Sequence, residues 1–332
     1  MKTLRNILYF VCISLLFIAC EKQEDAFAEQ TLFLRHKGAD MPIWVRGNTA
    51  SNKIVLYLHG GPGDCAMCYR HYLKGLENDV AVAYWDQRVA GASSGKVDPK
   101  TLNYAQFGED TELVVKLLRN QYPNAQIYLL GHSFGVELTW QFLTTGNNQK
   151  LVSGAIVVNG IFSSYRWLHH MREWVLREAA LQQKTDIATY TQERPVTPEN
   201  TVAYDWEKLY RHMLDLGGNP VSLYSDKKFV VNYAFFSPNT ALAQFTHGKA
   251  YADYSKNQVI RYERGDLLKN VRIPVALFWG KKDGVVPIEV GYETQALLTN
   301  APTTFVTFDN AWHEPFVSET DKFVQEVLEF VK

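Results

Sequence analysis

The chain has 332 residues, of which 46% are hydrophobic and 13% aromatic, so it can build one large domain with an insertion, or two domains. Its formal net charge is −1. Because no basic run that could neutralise phosphates occurs along the chain, nucleic acid is excluded as the main partner.

The N-terminal segment, residues 1–19, has the composition of a secretory signal. Lys2 and Arg5 precede an apolar run that is too short for a comfortable membrane span. The sequence FIAC that ends at Cys20 resembles a bacterial lipoprotein cleavage site. That resemblance implies a lipid on the Cys20 thiol, a tether at residues 20–30, and a protein anchored in the bacterial cell envelope, periplasmic or surface-facing. An uncleaved membrane anchor is the alternative.

The next part of the chain, residues 31–162, is predicted as the first part of an α/β core. Two buried strands are expected in it, and each ends in a short motif: HGGPG at 59–63, and Asp86-Gln87-Arg88. Strand patterns occur at four places. Residues 31–34 and 43–45 would form a hairpin, and the apolar runs at 54–58 and 80–85 are the two buried strands.

Cys65 and Cys68 follow the HGGPG motif at C-x-x-C spacing. In an oxidising envelope, this spacing favours a local disulfide or two unreactive thiols over a redox centre, and both of the favoured states stay open. No second cysteine pair and no histidine cluster suggests zinc, so we expect no metal and no cofactor.

The sequence GHSFG at 131–135 follows an apolar run at 127–130 and precedes a stretch with helical spacing. A sharp strand-to-helix turn flanked by glycines is one way to present a nucleophilic serine, here Ser133. The alternative is a glycine-flanked turn in which the serine only caps the helix.

The pattern changes after a strand at 154–158. Residues 163–262 are helical, aromatic and irregular, and strands resume at 275–279 and 304–308, followed by an amphipathic helix at 316–331. Strands that alternate with helices predict an α/β fold with a mostly parallel sheet flanked by helices. Residues 163–262 would be a helical cap inserted after the sixth strand, and residues 263–332 would complete the core.

Candidate catalytic residues follow several of these strands, and the carboxyl ends of parallel strands lie at one edge of a sheet. Asp283 follows the strand at 275–279 and His313 follows the strand at 304–308, so Ser133, Asp283 and His313 form a candidate nucleophile, acid and base. Asp309 is a rival acid on the same loop as His313. Asp283 also has an alternative interpretation as a turn residue before glycine.

An oxyanion hole requires two backbone amides, one from the residue after the nucleophile and one from a loop near the first buried strand. Phe134 and Gly61 meet these two conditions. An ordinary glycine turn is the alternative for the HGGPG loop.

These motifs together resemble the proline iminopeptidase branch of the α/β-hydrolases: HGGPG at 59–63, DQR at 86–88, GHSFG at 131–135, Asp283 and His313. The resemblance implies an α/β-hydrolase fold and a serine peptidase without a metal, which removes the N-terminal residue from a peptide under a helical cap. Val89 and Ala90 stand where this branch usually has glycine and serine.

Cap glutamates bind the free amine in that branch, and Trp206-Glu207 corresponds to one of its cap motifs. Residues 230–233 correspond to the segment that carries the second glutamate, but they contain no acid. We therefore expect a peptide or small-molecule substrate, with Glu207 and Trp206 as substrate-binding residues. The cap aromatics Trp167, Trp174, Tyr204 and Trp206 suggest an apolar pocket, and packing alone is the alternative. For Glu207 the alternative is a solvated helix face.

Two other functions stay open at the level of sequence. An esterase or amidase for small acyl compounds would use the same triad. The second is a lipoprotein that only binds a peptide or glycan and does not require the triad.

Overall fold

The structure, a computed structural model, describes residues 27–220, 226–237 and 259–332. The predicted signal segment and Cys20 lie outside the described residues, as does most of the predicted tether. Within these ranges, none of the helices combines the length and the apolar character needed to cross a bilayer.

A sheet of nine strands forms the centre of the described structure, in the order β1-β2-β4-β3-β6-β7-β8-β9, with β5 paired to β2. Strands β3, β4, β6, β7, β8 and β9 run parallel to one another, whereas β1 and β5 pair with β2, and β2 with β4, in antiparallel fashion. Their bounds are β1 Phe27–His36, β2 Ala39–Asn48, β3 Lys53–Leu58, β4 Ala81–Trp85, β5 Ser94–Gly95, β6 Gln126–His132, β7 Gly154–Val158, β8 Val275–Gly280 and β9 Thr303–Phe308.

Helices cover both faces of this sheet. Four of the described helices between β7 and β8, α4 to α7, are called the cap below. The bounds are α1 Arg70–Leu73, α2 Tyr104–Gln121, α3 Phe134–Leu143, α4 Ser164–Leu181, α5 Thr185–Gln192, α6 Trp206–Asp215, α7 Lys227–Phe236, α8 Gly265–Leu268, α9 Ile288–Leu297, α10 Pro315–Ser318 and α11 Thr320–Val331.

The predicted fold class is confirmed, and the central strands explain why it could be predicted. Every residue of β4, β7 and β8 is buried, as expected for parallel strands covered on both faces, so these strands read as continuous apolar runs. The outer strands β1 and β2 are longer than predicted, at ten residues each, because polar residues also take part in their pairing. The two-residue β5 was not predicted; without it, the cap follows the sixth strand.

The prediction of a single last helix at 316–331 is wrong. The helix is interrupted at Glu319, which has φ −131° and ψ 55° and separates α10 from α11. The Glu319 carboxylate accepts a hydrogen bond of 2.7 Å from the Asn310 amide. This contact with the loop after β9 favours a break that the apolar periodicity alone does not show.

A fully buried ion pair joins the DQR motif to α2. The Arg88 guanidinium donates to both carboxylate oxygens of Asp110, at 2.5 and 2.8 Å, and also to the Thr101 hydroxyl at 2.9 Å. Neither charged side chain is exposed to solvent. A buried pair of this kind need not stabilise the fold relative to apolar residues, but removing one partner leaves an uncompensated buried charge.

Arg88→Met should therefore lower the free energy of unfolding by about 3–5 kcal/mol, measured by urea denaturation of the full chain. Lys116→Met, which breaks the exposed pair with Glu112, should lower it by about 0.5 kcal/mol or less. Adding Asp110→Leu to Arg88→Met should recover much of the loss. Equal losses of stability in Arg88→Met and Lys116→Met would contradict the expectation that removing one partner of the buried Arg88–Asp110 pair is costly.

Candidate active site

Ser133 lies in a strained turn between β6 and α3. Its φ of 51° and ψ of −119° fall outside the regions that non-glycine residues usually occupy. The turn also requires glycine on each side: a Cβ atom on Gly131 would lie 2.6 Å from the Gly135 carbonyl oxygen, and one on Gly135 would lie 1.9 Å from the Leu58 carbonyl oxygen. The turn leaves the Ser133 side chain partly exposed, in the wall of a cavity.

The structure brings His313 and Asp283 together at the carboxyl end of the sheet. His313 Nδ1 lies 2.9 Å from Asp283 Oδ2, and both side chains are buried. The other carboxylate oxygen, Oδ1, accepts from the amides of Val285 at 2.7 Å and Val286 at 3.0 Å. His313 lines the same cavity as Ser133. The structure therefore pairs the histidine with an acid and places His313 and Ser133 in the wall of one cavity.

The rival acid, Asp309, lies elsewhere. Its side chain is 65% exposed and pairs with Lys281 at 2.7 Å. An exposed carboxylate that is already paired with a lysine cannot hold a buried imidazole.

Asn159 supports Asp283 and was missed in the sequence analysis. Its Nδ2 donates to Asp283 Oδ2 at 2.8 Å and to the Trp312 carbonyl at 2.9 Å, and its Oδ1 accepts from the Gly280 amide at 3.0 Å. Asn159 is fully buried, with a φ of 45°. It therefore joins the end of β7 to the loops that carry both the acid and the histidine. Its position directly after a predicted strand was the available signal.

Of the two residues predicted for the oxyanion hole, Phe134 directly follows Ser133 and Gly61 lines the same cavity. Gly60 and Gly61 line the cavity with Ser133, and Gly61 has a φ of 114°, which favours glycine. Phe134 begins α3, and the backbone amides of a first helical turn point out of the N-terminal end. This placement suits stabilisation of negative charge that develops next to Ser133.

The DQR motif positions the HGGPG loop rather than reaching the cavity. The Gln87 side chain donates to the His59 carbonyl at 2.9 Å, and the Gln87 amide donates to His59 Nε2 at 3.2 Å. Asp86 accepts from the amides of Ala66 and Ala92 at 2.7 and 2.6 Å. Val89 has a φ of 55°, which accounts for the glycine that this branch usually has there.

Cys65 and Cys68 form a disulfide just beyond this loop, and both are fully buried. Of the two states left open by the sequence, the structure contains the local disulfide.

The cavity has a volume of about 690 Å³ and lies between the sheet edge and the cap. On the cap side, Trp167 of α4 and Trp206 and Tyr210 of α6 form aromatic walls. The Trp167 indole donates to the Val285 carbonyl at 2.6 Å, which connects the cap to the loop after Asp283. Trp174 and Tyr204, also predicted for an apolar pocket, are not among the lining residues.

Acidic side chains outnumber basic ones in this cavity. Glu207, predicted as a substrate-binding residue, lies in its wall on α6, four residues before Arg211. The sequence analysis missed three further acids that line the cavity: Asp64, Glu137 and Glu314. Residues 230–233, the counterpart of the second acidic segment, lie on α7, where Val230 and Val231 face solvent.

Burial shifts the pKa of each of these three missed acids upward. It raises the pKa of Asp64 to about 6, although a hydrogen bond from the Tyr69 hydroxyl opposes the shift, and it raises the pKa of Glu314 to about 7. Glu137 is buried and accepts a hydrogen bond from the Tyr104 hydroxyl, and burial raises its pKa well above the usual range. Asp64 and Glu314 therefore ionise closer to neutral pH than ordinary carboxylic acids do.

One group of possible metal ligands occurs among the described residues: His132, His313 and Glu314, with ligand atoms within 4.8 Å of one another. His132 Nε2 contacts the His313 carbonyl oxygen at 2.9 Å, and His313 Nδ1 is taken up by Asp283. Hydrogen bonds thus already use one nitrogen of each imidazole.

Comparison with known proteins agrees with this geometry. The profile of a family described as alpha/beta hydrolase fold matches residues 53–320, which is most of the chain.

The chain belongs to the α/β-hydrolase fold family.

Two curated relatives of this α/β-hydrolase are similar over most of their length. A probable aminopeptidase, YbaC of Bacillus subtilis, is 24% identical over 295 residues, which cover 85% of this chain and 89% of that protein. A proline iminopeptidase of Saccharolobus solfataricus is 26% identical over 285 residues, which cover 85% of each. The predicted resemblance to this branch is confirmed at that level of similarity.

Solved structures share the fold but differ in the activity named. The proline iminopeptidase of Mycobacterium smegmatis has a TM-score of 0.59 at 14% identity, covering 91% of this chain and 97% of that one. An esterase of Exiguobacterium antarcticum has a TM-score of 0.58 at 15% identity, covering 91% and 99%. Similarity of fold therefore does not separate peptidase from esterase, and the choice must come from the cavity.

The state of His313 predicts how activity depends on pH. Burial favours the neutral imidazole, but the charge and hydrogen bond of Asp283, aided by the charge of Glu314, outweigh it and raise the pKa of His313 above 6.5. A general base must be neutral, so activity should rise with pH through that raised pKa. With p-nitrophenyl acetate, which has no amine, kcat/KM should reach half its maximum above pH 6.5. A midpoint below 6.5 would contradict the pairing of His313 with Asp283.

Proposed function

We propose that this α/β-hydrolase is a serine aminopeptidase of the proline iminopeptidase type, which releases N-terminal residues from peptides. The observation that carries the proposal is the acidic cavity beside Ser133. Four carboxylic side chains and one arginine line it, which favours a substrate that brings a positive charge, as a free N-terminus does. The similarity to a probable aminopeptidase and a proline iminopeptidase supports the same activity.

In this proposal the residues have the following roles. His313 takes the proton of the Ser133 hydroxyl as its Oγ attacks the carbonyl carbon of the first residue, and Asp283 stabilises the imidazolium that forms. The amides of Gly61 and Phe134 stabilise the negative oxygen of the tetrahedral intermediate. The protonated His313 then donates its proton to the leaving amine, and the peptide bond breaks. Water, deprotonated by His313, releases the residue from Ser133.

The cap provides the other face of the binding site. Trp206 would contact the side chain of the first residue, together with Trp167 and Tyr210. Glu207 lies on the same helix and remains the sequence-based candidate for a contact with the substrate amine. No metal or cofactor takes part in the proposed reaction.

The test compares substrates that differ only in the free amine. The full chain should hydrolyse the p-nitroanilides of leucine, alanine and proline, and acetylation of their amine should abolish turnover. Hydrolysis of p-nitrophenyl acetate and butyrate without any turnover of the amides would overturn the aminopeptidase proposal and establish an esterase. Binding of a peptide without any Ser133-dependent turnover would establish the non-catalytic function.

We also propose that the protein is anchored to a membrane of the bacterial cell envelope by lipid on Cys20. An alkyne-labelled fatty acid fed to expressing bacteria should label the wild-type protein, and Cys20→Ala should lose both the label and the membrane fraction. Cys12→Ala, which changes the other cysteine of this region, should keep both. Equal labelling of wild type and Cys20→Ala would contradict the anchor.

A further inference from the structure

Two acids on the core side of the cavity adjoin the proposed reaction machinery. Asp64 immediately follows the HGGPG loop that contains Gly61, and Glu314 immediately follows His313. Both side chains line the cavity that contains Ser133. Since each acid is close in sequence to a group that would act on the scissile carbonyl, it lies on the same side of the cavity as the chemistry.

Neither acid has a lysine or arginine partner among the described residues, and the basic side chain that acts on Glu314 is His313, whose charge lowers the Glu314 pKa. Glu314 is 7% exposed, and its hydrogen bond comes from the neutral Asn219 amide at 3.3 Å. Asp64 accepts from the Tyr69 hydroxyl at 2.6 Å. In the part of the chain that the structure describes, no arginine or lysine forms a salt bridge with either carboxylate. Glu314 is buried and Asp64 is partly buried, so ionising both acids beside one cavity without a lysine or arginine partner is costly unless a ligand supplies positive charge.

The two carboxylates also act on each other. The charge of Asp64 contributes to the raised pKa of Glu314, and both acids raise the pKa of the Tyr69 phenol, so the three side chains form one cluster. A cation bound among them would relieve the repulsion and favour the ionised form of both acids. Glu137 is less suited to this role, because its carboxylate already accepts a hydrogen bond from the Tyr104 hydroxyl and burial raises its pKa.

The chemistry of an aminopeptidase places its amine at this position. The α-nitrogen of a substrate is two bonds from the carbonyl carbon that Ser133 would attack, so groups that bind it must lie beside the nucleophile. Asp64 and Glu314 line the cavity with Ser133 from the loops that carry Gly61 and His313, whereas Glu207 lines it from the cap and is exposed. We propose that Asp64 and Glu314 together bind the α-ammonium group of the substrate, so that only the first peptide bond reaches Ser133. This inference rests on the proposed aminopeptidase function and adds the residues that select its substrate.

The direct test measures binding of leucinamide and N-acetyl-leucinamide to the full chain that carries Ser133→Ala. The binding is followed by ligand-observed NMR titration. Leucinamide should bind more tightly than its acetylated form. Asp64→Asn and Glu314→Gln, both close in shape to the native residues, should each weaken leucinamide binding about tenfold or more, because each removes a charged hydrogen-bond acceptor. Glu207→Gln should weaken it less than either. Asp64→Asn and Glu314→Gln are called the core variants. Circular dichroism melting identifies any variant that fails to fold, and if one core variant fails, the other provides the test.

Equal binding of the two ligands, or a larger loss in Glu207→Gln than in both core variants, would overturn the inference. Steady-state kinetics with leucine p-nitroanilide give a second readout: KM should rise about tenfold in Asp64→Asn with a smaller change in kcat, as expected when binding rather than chemistry is lost. Normal amide hydrolysis with unchanged KM in both core variants would overturn this inference alone. Binding that depends on Asp64 and Glu314, without any amide hydrolysis, would instead overturn the proposed function.

Discussion

Ser133→Ala should lower kcat by about 10⁶-fold for every substrate that the wild-type chain turns over, because removal of the nucleophile leaves only binding and oxyanion stabilisation. Binding of leucinamide should be nearly unchanged, since only one oxygen atom is removed from the cavity wall. Initial rates with leucine p-nitroanilide and p-nitrophenyl acetate, measured at high enzyme concentration, give the loss directly.

The matched control for this variant is Ser94→Ala, which changes an exposed serine in β5 and should keep the wild-type rate. Residual activity of Ser133→Ala within tenfold of the wild type would show that another residue is the nucleophile. A loss of activity together with an altered melting temperature would point to the turn itself, and Ser133→Cys would then separate the two causes.

Asp283→Asn should lower kcat by about 10⁴-fold while the chain stays folded. In the native site, Oδ1 of Asp283 accepts two backbone amides and Oδ2 lies 2.9 Å from His313 Nδ1. The asparagine oxygen would stay with the two amides of Val285 and Val286, and its NH₂ group would face His313. His313 would then carry its proton on Nε2 and could not accept one from Ser133.

Asp309→Asn is the control for that substitution, because Asp309 is an exposed acid on the loop that carries His313. It should leave kcat and KM unchanged with leucine p-nitroanilide. If Asp309→Asn caused the larger loss, the acid of the triad would have been assigned wrongly. A similar, small loss in both variants would show that His313 does not depend on a single carboxylate.

The fold could be predicted because its signals are local. The parallel strands are short apolar runs buried on both faces, and each is followed by glycine or a polar motif. Gly131 and Gly135 could be recognised as turn residues because a strand and a helix pass too close there for any Cβ atom. The paired acid and histidine could be predicted for a related reason, since each follows a strand of one parallel sheet.

The details that depend on distant neighbours could not be predicted in this way. The break at Glu319 depends on a hydrogen bond to the loop that follows β9. Asn159 supports Asp283 across 124 positions of sequence, and its place directly after a strand does not by itself show which side chain it contacts. Asp309 stands as a rival to Asp283 in the sequence, and the burial of Asp283 and the exposure of Asp309 separate the two in the structure.

The sequence by itself determined the α/β-hydrolase fold, the turn that presents Ser133, and the candidate acid and base, because glycine placement and apolar periodicity act over a few residues. Only the tertiary structure decided the character of the cavity. Asp64, Glu137 and Glu314 follow three different strands and become one acidic wall because parallel strands bring their carboxyl ends to a single edge. Burial at that edge then shifts their pKa values, and such a shift depends on every neighbour at once rather than on the residues beside each acid.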